Sequence, residues 1–344
     1  MKAALLEQLG SLTVREVADP EVGPYGALCQ MLYGATCTGT DLHLIEGRVD
    51  WAITAAPTII GHESIGRVID VGNKVRNLKV GDMVTRVGAP PAADGSYSST
   101  WGGFAELGVA CDHWAMKEDG VAEDQWSGAT VNQIIPAEFD PRACTMMTTW
   151  RETLSYITRM GLATGNRVLI LGSGGVGLAF AAHAANLGAV RVAMCGSAAR
   201  KEVAKRAGVT DFYDYKADGV GWIIASMCPE GFDIVIDAVG SQETIDLALF
   251  NVMQGGSVGI YGIDEMGKTT VDPDKARAEF TEFDGGYDEA ETHERVVGFM
   301  QTGKLDAGIW LDLDTTYPLD EINAAFDAVR NRQCVKALVK LSDG

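Results

Sequence analysis

The sequence predicts an α/β chain organised around a doubly wound parallel sheet. Three observations carry that expectation. The apolar run Val168-Leu169-Ile170-Leu171 ends in a glycine cluster, Gly172-Ser173-Gly174-Gly175-Val176-Gly177, and a small apolar stretch at 178–185 follows. This is the order strand, tight turn, helix. Strand-like runs at 190–194, 232–237 and 257–261 then alternate with helical segments such as 200–207, the pattern of parallel strands joined by helices. The first fifty residues differ: runs at 2–6, 12–17 and 27–33, separated by Gly, Pro and Asp, read as β-rich.

The glycine cluster has the spacing G-x-G-x-x-G. Gly172 makes the turn, Gly174 lets the backbone approach a pyrophosphate at the positive end of the helix, and Gly177 lets that helix press on the strand. Gly172, Gly174, Gly175, Val176 and Gly177 are therefore expected to hold a dinucleotide; without its strand and helix the same spacing would be a plain tight turn. A carboxylate about twenty residues further on would bind the ribose 2′-hydroxyl of NAD. The second strand ends instead in Gly196-Ser197-Ala198-Ala199-Arg200-Lys201. Gly196-Ser197 leaves space and Arg200 or Lys201 can meet a 2′-phosphate, so NADP is favoured over NAD.

With 344 residues, 47% hydrophobic and 22% charged, the chain is long enough for two domains with large cores and needs no disulfides. Its seven cysteines (29, 37, 111, 144, 195, 228 and 334) are scattered without a CxxC pair, which points to a reducing, cytoplasmic setting. The opening Met1-Lys2-Ala3-Ala4-Leu5-Leu6 meets Glu7 at once and reads as a strand rather than a leader; no apolar run approaches a membrane span. A formal charge of −19 argues against nucleic acid and anionic membrane as partners, because the net field repels phosphates.

After the β-rich start, Cys37-Thr38-Gly39-Thr40-Asp41-Leu42-His43 gathers a thiol, hydroxyls, a carboxylate and an imidazole into one turn. Ile/Val alternation around Gly66, Gly72 and Gly81-Asp82 suggests a barrel-like sheet. Residues 89–96 are an exposed loop by composition. Residues 141–162 read as one helix leading into the first parallel strand. Beyond about residue 295 come helices at 294–302 and 319–330 and a closing strand at 336–340.

Gly61-His62-Glu63, the spaced Gly66 and Gly72, Gly81-Asp82 and Gly102-Gly103-Phe104-Ala105-Glu106, followed by the glycine-rich turn, resemble the medium-chain dehydrogenase/reductase superfamily. Within it they look like the zinc-dependent alcohol and polyol dehydrogenases, and the resemblance runs over nearly the whole chain. It implies a GroES-like partial β-barrel catalytic domain, residues 1–155 and 296–344, split around an inserted Rossmann domain, residues 156–295. It also implies a homodimer or homotetramer and a small-molecule alcohol or ketone as substrate.

A catalytic zinc takes about three protein ligands and one open position. The resemblance points to Cys37, His62 and Glu63. His62 fits its position directly. Relatives have the ligand cysteine three residues before the aspartate that matches Asp41, where this chain has Thr38; a one-residue insertion keeps Cys37 as ligand, and otherwise a neutral threonine stands there. Polyol-type relatives add a glutamate early in the helix before the first parallel strand. That position is Thr148 here, and Glu152 comes one helical turn later on the same face. Many relatives also hold a four-cysteine structural zinc near 85–125, where this chain has only Cys111, so one catalytic zinc and no structural zinc are expected. Thr40 and His43 match the family's proton-relay positions. With Cys37 and His62 they are the catalytic candidates.

The expected function is hydride transfer between a secondary alcohol or polyol, or its ketone, and a nicotinamide cofactor, assisted by zinc. Two other readings stay open. Thr38 and Thr148 suit a zinc-free quinone or enone reductase of the same superfamily. A cofactor-binding protein without catalysis is the third, against which Thr40, His43, His62 and Glu63 argue. Trp51, Tyr97, Trp101 and Trp150 are candidates either for a pocket or for core.

Overall fold

The structure, a computed structural model, describes residues 1–49 and 57–342; Trp51 lies outside them. The chain forms two compact units. One comprises Met1–Thr148, Glu289–Gly298 and Asp306–Gly344, the other Thr149–Asp288 and Phe299–Leu305.

The first unit is built on two sheets. In the smaller, Ser11–Glu16, Lys2–Gln8, Thr58–Ile59 and Ser98–Ser99 lie side by side in that order. Ala3, Leu5, Ile59, Ala89, Tyr97 and Ala105 pack as its core, so Tyr97 is a core residue. In the larger sheet the order is Thr316–Pro318, Leu338–Lys340, Gly26–Ala35, Glu63–Val71, Met83–Thr85 and Ile134–Ile135. Leu107–Cys111 also pairs with Gly26–Ala35. Glu63–Val71 is buried at its start and exposed at its end, which makes the start of that strand the place where polar side chains are shielded from water.

The register of the larger sheet positions the site. Ala35 pairs with Glu63 on one side and with Leu338 on the other. The end of one strand and the beginnings of its two antiparallel neighbours therefore meet at one sheet end. The turn expected at 37–43 is in part a helix, Thr40–Ile45. Its entry is held by Asp41, whose carboxylate accepts the Cys37 backbone N–H at 2.9 Å.

The second unit is one six-stranded sheet, parallel throughout. The strands lie in the order Asp211–Asp214, Arg191–Gly196, Arg167–Leu171, Phe232–Asp237, Val252–Ile260 and Phe280–Phe283. Numbered by chain position this is 3-2-1-4-5-6, the doubly wound order with its switch between the first and fourth strands. Helices Gly175–Asn186, Lys201–Arg206, Val220–Met227 and Gln242–Asn251 connect strands of the sheet. Leu169, Leu171, Ala193, Phe232 and Val235 pack against Ile224, Ile245, Ala248 and Leu249 of the helices. A parallel sheet covered in this way needs apolar residues on both faces, which is why its central strands read as unbroken apolar runs.

Two details depart from expectation. The segment 141–162 is two helices, Pro141–Cys144 and Met147–Arg159. Between them Met146 N–H bonds Ala143 three residues back, at 3.2 Å, and the longer helix stops at Gly161 with φ +86°. The edge strands Asp211–Asp214 and Phe280–Phe283 lie outside the runs read from the sequence. Among the described residues, no helix is long and apolar enough to cross a membrane.

Candidate active site

Three strand ends build the first part of the site. Gly26–Ala35 runs on into Thr36 and Cys37, Glu63 opens its strand directly after His62, and Lys336 lies two residues before Leu338–Lys340. Thr36 ties two of these segments together: its N–H donates to Ala337 O at 3.0 Å, and its Oγ1 accepts the Ala337 N–H at 2.9 Å. Cys37, His62 and Glu63 are buried and each offers one ligand atom, all within 4.8 Å of one another.

The surroundings of this group are charged and buried. His62 Nδ1 lies 3.2 Å from Asp41 Oδ1, and its Nε2 lies 3.9 Å from Glu63 Oε1. Burial alone would lower the His62 pKa, but the Asp41 carboxylate and the Cys37 sulfur outweigh it and push it well above the ordinary histidine value. Asp41 is fully buried and does two things at once: it holds the Cys37 backbone and faces the His62 ring. Lys336, also buried, places Nζ 2.6 Å from each oxygen of Glu63. Burial opposes its charge, and Glu63 followed by Cys37 raises its pKa nonetheless.

A sulfur, an imidazole nitrogen and a carboxylate oxygen at this spacing match the ligand chemistry of zinc. A carboxylate behind the second imidazole nitrogen is the support that metal-bound histidines receive. The residues present therefore fit a catalytic zinc. Thr148, at the position where polyol-type relatives carry glutamate, donates its hydroxyl to the His62 carbonyl at 3.4 Å. Thr40 opens its helix, and its backbone N–H lies 3.5 Å from Cys37 Sγ. His43 is buried with Nδ1 bonded to the Gly39 carbonyl. A carbonyl only accepts, so Nδ1 carries the proton and Nε2 is the basic nitrogen. Trp101 adjoins the group, its ring centroid 5.2 Å from that of His62. Trp150 is fully buried in the second unit.

The second unit holds the glycine turn. Gly172 ends the first strand at φ +110°, a conformation that favours glycine. A Cβ on Gly177 would stand 2.0 Å from Gly172 O, so helix and turn touch through backbone. A Cβ on Gly174 would meet nothing within 4 Å, so the space above the helix N-terminus is open. That combination fits a pyrophosphate approaching the N–H groups from Gly174, Gly175, Val176 and Gly177. Ser197 N–H donates to Ser173 Oγ at 3.0 Å, and Arg200 closes the short turn Ala198–Arg200 that follows. Tyr215 N–H donates to Gly196 O at 3.1 Å, which brings Tyr215 and Lys216 beside Ser197.

Glu152 belongs to the second unit. Its two oxygens accept the phenol of Tyr261 at 3.1 Å and that of Tyr287 at 3.3 Å. The three-ligand group contains Cys37, His62 and Glu63 but not Glu152. Sequence reading missed Lys336. Its one signal was a charged residue inside the apolar run Val335-Lys336-Ala337-Leu338-Val339.

A GroES-like unit carrying a zinc-type ligand group, with a unit bearing the doubly wound sheet and its glycine turn, defines a zinc-dependent nucleotide-linked dehydrogenase. Residues 24–123 match the alcohol dehydrogenase GroES-like domain, and residues 175–284 match the zinc-binding dehydrogenase domain. D-arabinitol dehydrogenase 1 of Uromyces fabae is 26% identical, over 88% of this chain and 86% of that protein. L-threonine 3-dehydrogenase of Burkholderia mallei is 26% identical over 100% of both chains. Benzyl alcohol dehydrogenase from Acinetobacter calcoaceticus shares the fold with a TM-score of 0.83 at 16% identity, covering 99% of each chain. The chain belongs to the zinc-dependent alcohol dehydrogenase family of the medium-chain dehydrogenase/reductase superfamily, and is an NAD(P)-dependent oxidoreductase.

Proposed function

We propose that the protein oxidises a secondary alcohol or polyol, or reduces the matching ketone, with one catalytic zinc on Cys37, His62 and Glu63 and with NADP preferred over NAD. The observation that carries this reading is the buried thiol–imidazole–carboxylate group at the sheet end. Two relatives are named for D-arabinitol and L-threonine, each of which contains a secondary alcohol. When bound, zinc supplies Lewis acidity to the alcohol oxygen and the nicotinamide accepts the hydride. Asp41 holds the His62 ring in orientation. The Thr40 hydroxyl takes the alcohol proton and hands it to Nε2 of His43, whose Nδ1 is committed to Gly39.

Ser197 and Arg200 support NADP, since the end of the second strand offers a hydroxyl and a guanidinium and no carboxylate. The single cysteine between residues 85 and 125 supports a catalytic zinc without a structural one. Family membership supports a homodimer or homotetramer. The cysteine usage, with no disulfide among the described residues, supports a cytoplasmic setting.

One observation favours the zinc-free reading. Lys336 already neutralises Glu63 from 2.6 Å on both oxygens. Metal analysis of protein purified without chelator separates the two. About one zinc per chain, lost together with alcohol oxidation in Cys37→Ala and His62→Ala, is the expected result. Metal-free protein that reduces an enone or quinone overturns it.

A further inference from the structure

Trp101 is held beside His62 by a backbone conformation that tryptophan rarely adopts. Its φ is +68°. A bulky residue in this region is strained and persists only where the surrounding chain over-determines it. Here the chain does so. Thr100 N–H donates to Ile59 O at 2.8 Å, Gly103 N–H to Gly61 O at 2.8 Å, and Phe104 N–H to Ile60 O at 3.0 Å. The loop that carries Trp101 is thereby fastened to the segment that ends in His62. A Cβ on Gly88 would lie 1.7 Å from the Trp101 carbonyl, so the opposite side of the loop is closed by backbone as well. The result is an indole tilted 56° to the His62 ring with centroids 5.2 Å apart. The indole is only partly buried, whereas His62 is buried.

We infer that Trp101 selects the substrate: it favours a carbinol with an aryl or other flat apolar substituent and disfavours a polyol. The inference rests on the dehydrogenase reading and narrows it. An alcohol held beside His62 has its substituent against the indole. An aromatic or alkyl group gains contact there and leaves water. A polyol brings further hydroxyls against a surface whose single polar group is one N–H donor, and each hydroxyl desolvated without a bond is penalised. The two substrate classes therefore separate at this side chain.

The test compares 1-phenylethanol with D-arabinitol as substrates of the zinc-loaded wild type, Trp101→Phe and Trp101→Gly, with NADP. Glycine adopts φ +68° without strain, so Trp101→Gly removes the ring while easing the backbone. The wild type is expected to prefer 1-phenylethanol. Trp101→Gly lowers that preference on the order of tenfold, mainly through KM, and Trp101→Phe keeps most of it. A second readout needs no turnover: Co2+ added to metal-free wild type quenches a component of tryptophan emission that both variants lack. A wild type that prefers D-arabinitol, a preference unmoved in Trp101→Gly, or Co2+ quenching that is the same in all three proteins overturns the assignment and leaves the dehydrogenase reading standing. A wild type that binds Co2+ and NADPH but oxidises no alcohol overturns the dehydrogenase reading, and this inference with it.

Discussion

Lys336 places its ammonium 2.6 Å from both carboxylate oxygens of Glu63, and both residues are buried. The pair links the first residue of one strand flanking Gly26–Ala35, Glu63–Val71, to the segment that leads into the other, Leu338–Lys340. It also sets the charge of the ligand group, because one of its three members already faces a cation. A metal that uses Glu63 must share it with Lys336 or draw it away.

Replacing Lys336 with Met should therefore act twice. Without metal, Glu63 keeps its burial and loses its ammonium, which costs on the order of 3–5 kcal/mol. With zinc the metal can supply the missing positive charge, so zinc should raise the Tm of Lys336→Met more than that of the wild type. Lys336→Arg should fall between them. Thermal melts with and without zinc read this directly. Equal zinc gains in all three proteins would show that Glu63 does not contact the metal.

The glycine turn separates folding from binding. A methyl on Gly177 would sit 2.0 Å from Gly172 O and push the helix off the strand, whereas one on Gly174 meets nothing within 4 Å. Gly177→Ala should lower the Tm of the protein. Gly174→Ala should fold like the wild type and bind NADPH on the order of tenfold more weakly, because its methyl occupies the open space above the helix N-terminus. Fluorescence titration with NADPH beside a melt distinguishes the two outcomes. Wild-type affinity in Gly174→Ala would remove the pyrophosphate from that turn.

What the sequence made legible follows from burial and from distance along the chain. The central strands Arg167–Leu171 and Phe232–Asp237 are almost wholly buried, so they appear as apolar runs. The edge strands Asp211–Asp214 and Phe280–Phe283 are half-exposed, mix acids and aromatics, and owe their conformation to pairing with one neighbour each. No local pattern marks them. Cys37 and Thr38 could not be told apart as ligand candidates from spacing alone. The pairing of Ala35 with Glu63 and Leu338 gathers the three strand ends, and the Cys37 thiol lies within 4.8 Å of the ligand atoms of His62 and Glu63. Helical spacing gave the face of Glu152 but not its phenols, which come from 109 and 135 residues away. Lys336 meets Glu63 across 273 residues, a contact that only the sheet order creates.

Cofactor choice should turn on the end of the second strand. Arg200→Ala removes a cation from the turn beside Ser197, and Ser197→Asp places a carboxylate where a ribose 2′-hydroxyl would be read. Arg200→Ala should weaken NADPH binding on the order of tenfold with little effect on NADH. Ser197→Asp should reverse the preference, since the new charge repels a 2′-phosphate and accepts from a hydroxyl. Binding constants for both cofactors in the three proteins are the measurement. A wild type that prefers NADH would sink the NADP reading outright.

Acid stability should be sensitive to Asp112, which caps the helix His113–Glu118. Its carboxylate accepts the backbone N–H groups of Arg76 at 2.7 Å, Asn77 at 2.8 Å and Ala115 at 3.0 Å, and the Asn77 amide at 2.9 Å. Burial alone would raise its pKa, but the donors from Asn77, Arg76 and Ala115 outweigh it and hold the carboxyl below the ordinary aspartate value. The unfolded chain therefore takes up this proton first as pH falls. The stabilisation is fully present above the unfolded value of about 4 and is lost as pH drops through the lower folded value. Asp112→Asn retains one carbonyl acceptor but turns an amide toward the remaining donors, which should cost about 1–3 kcal/mol at neutral pH. The gap between wild type and variant should narrow as pH falls below about 4, where the unfolded wild-type carboxyl takes up its proton first and the folded one follows at lower pH. Urea denaturation at a series of pH values measures that gap. A gap that stays constant down to pH well below 4 would mean that the charge of Asp112 contributes nothing beyond its shape.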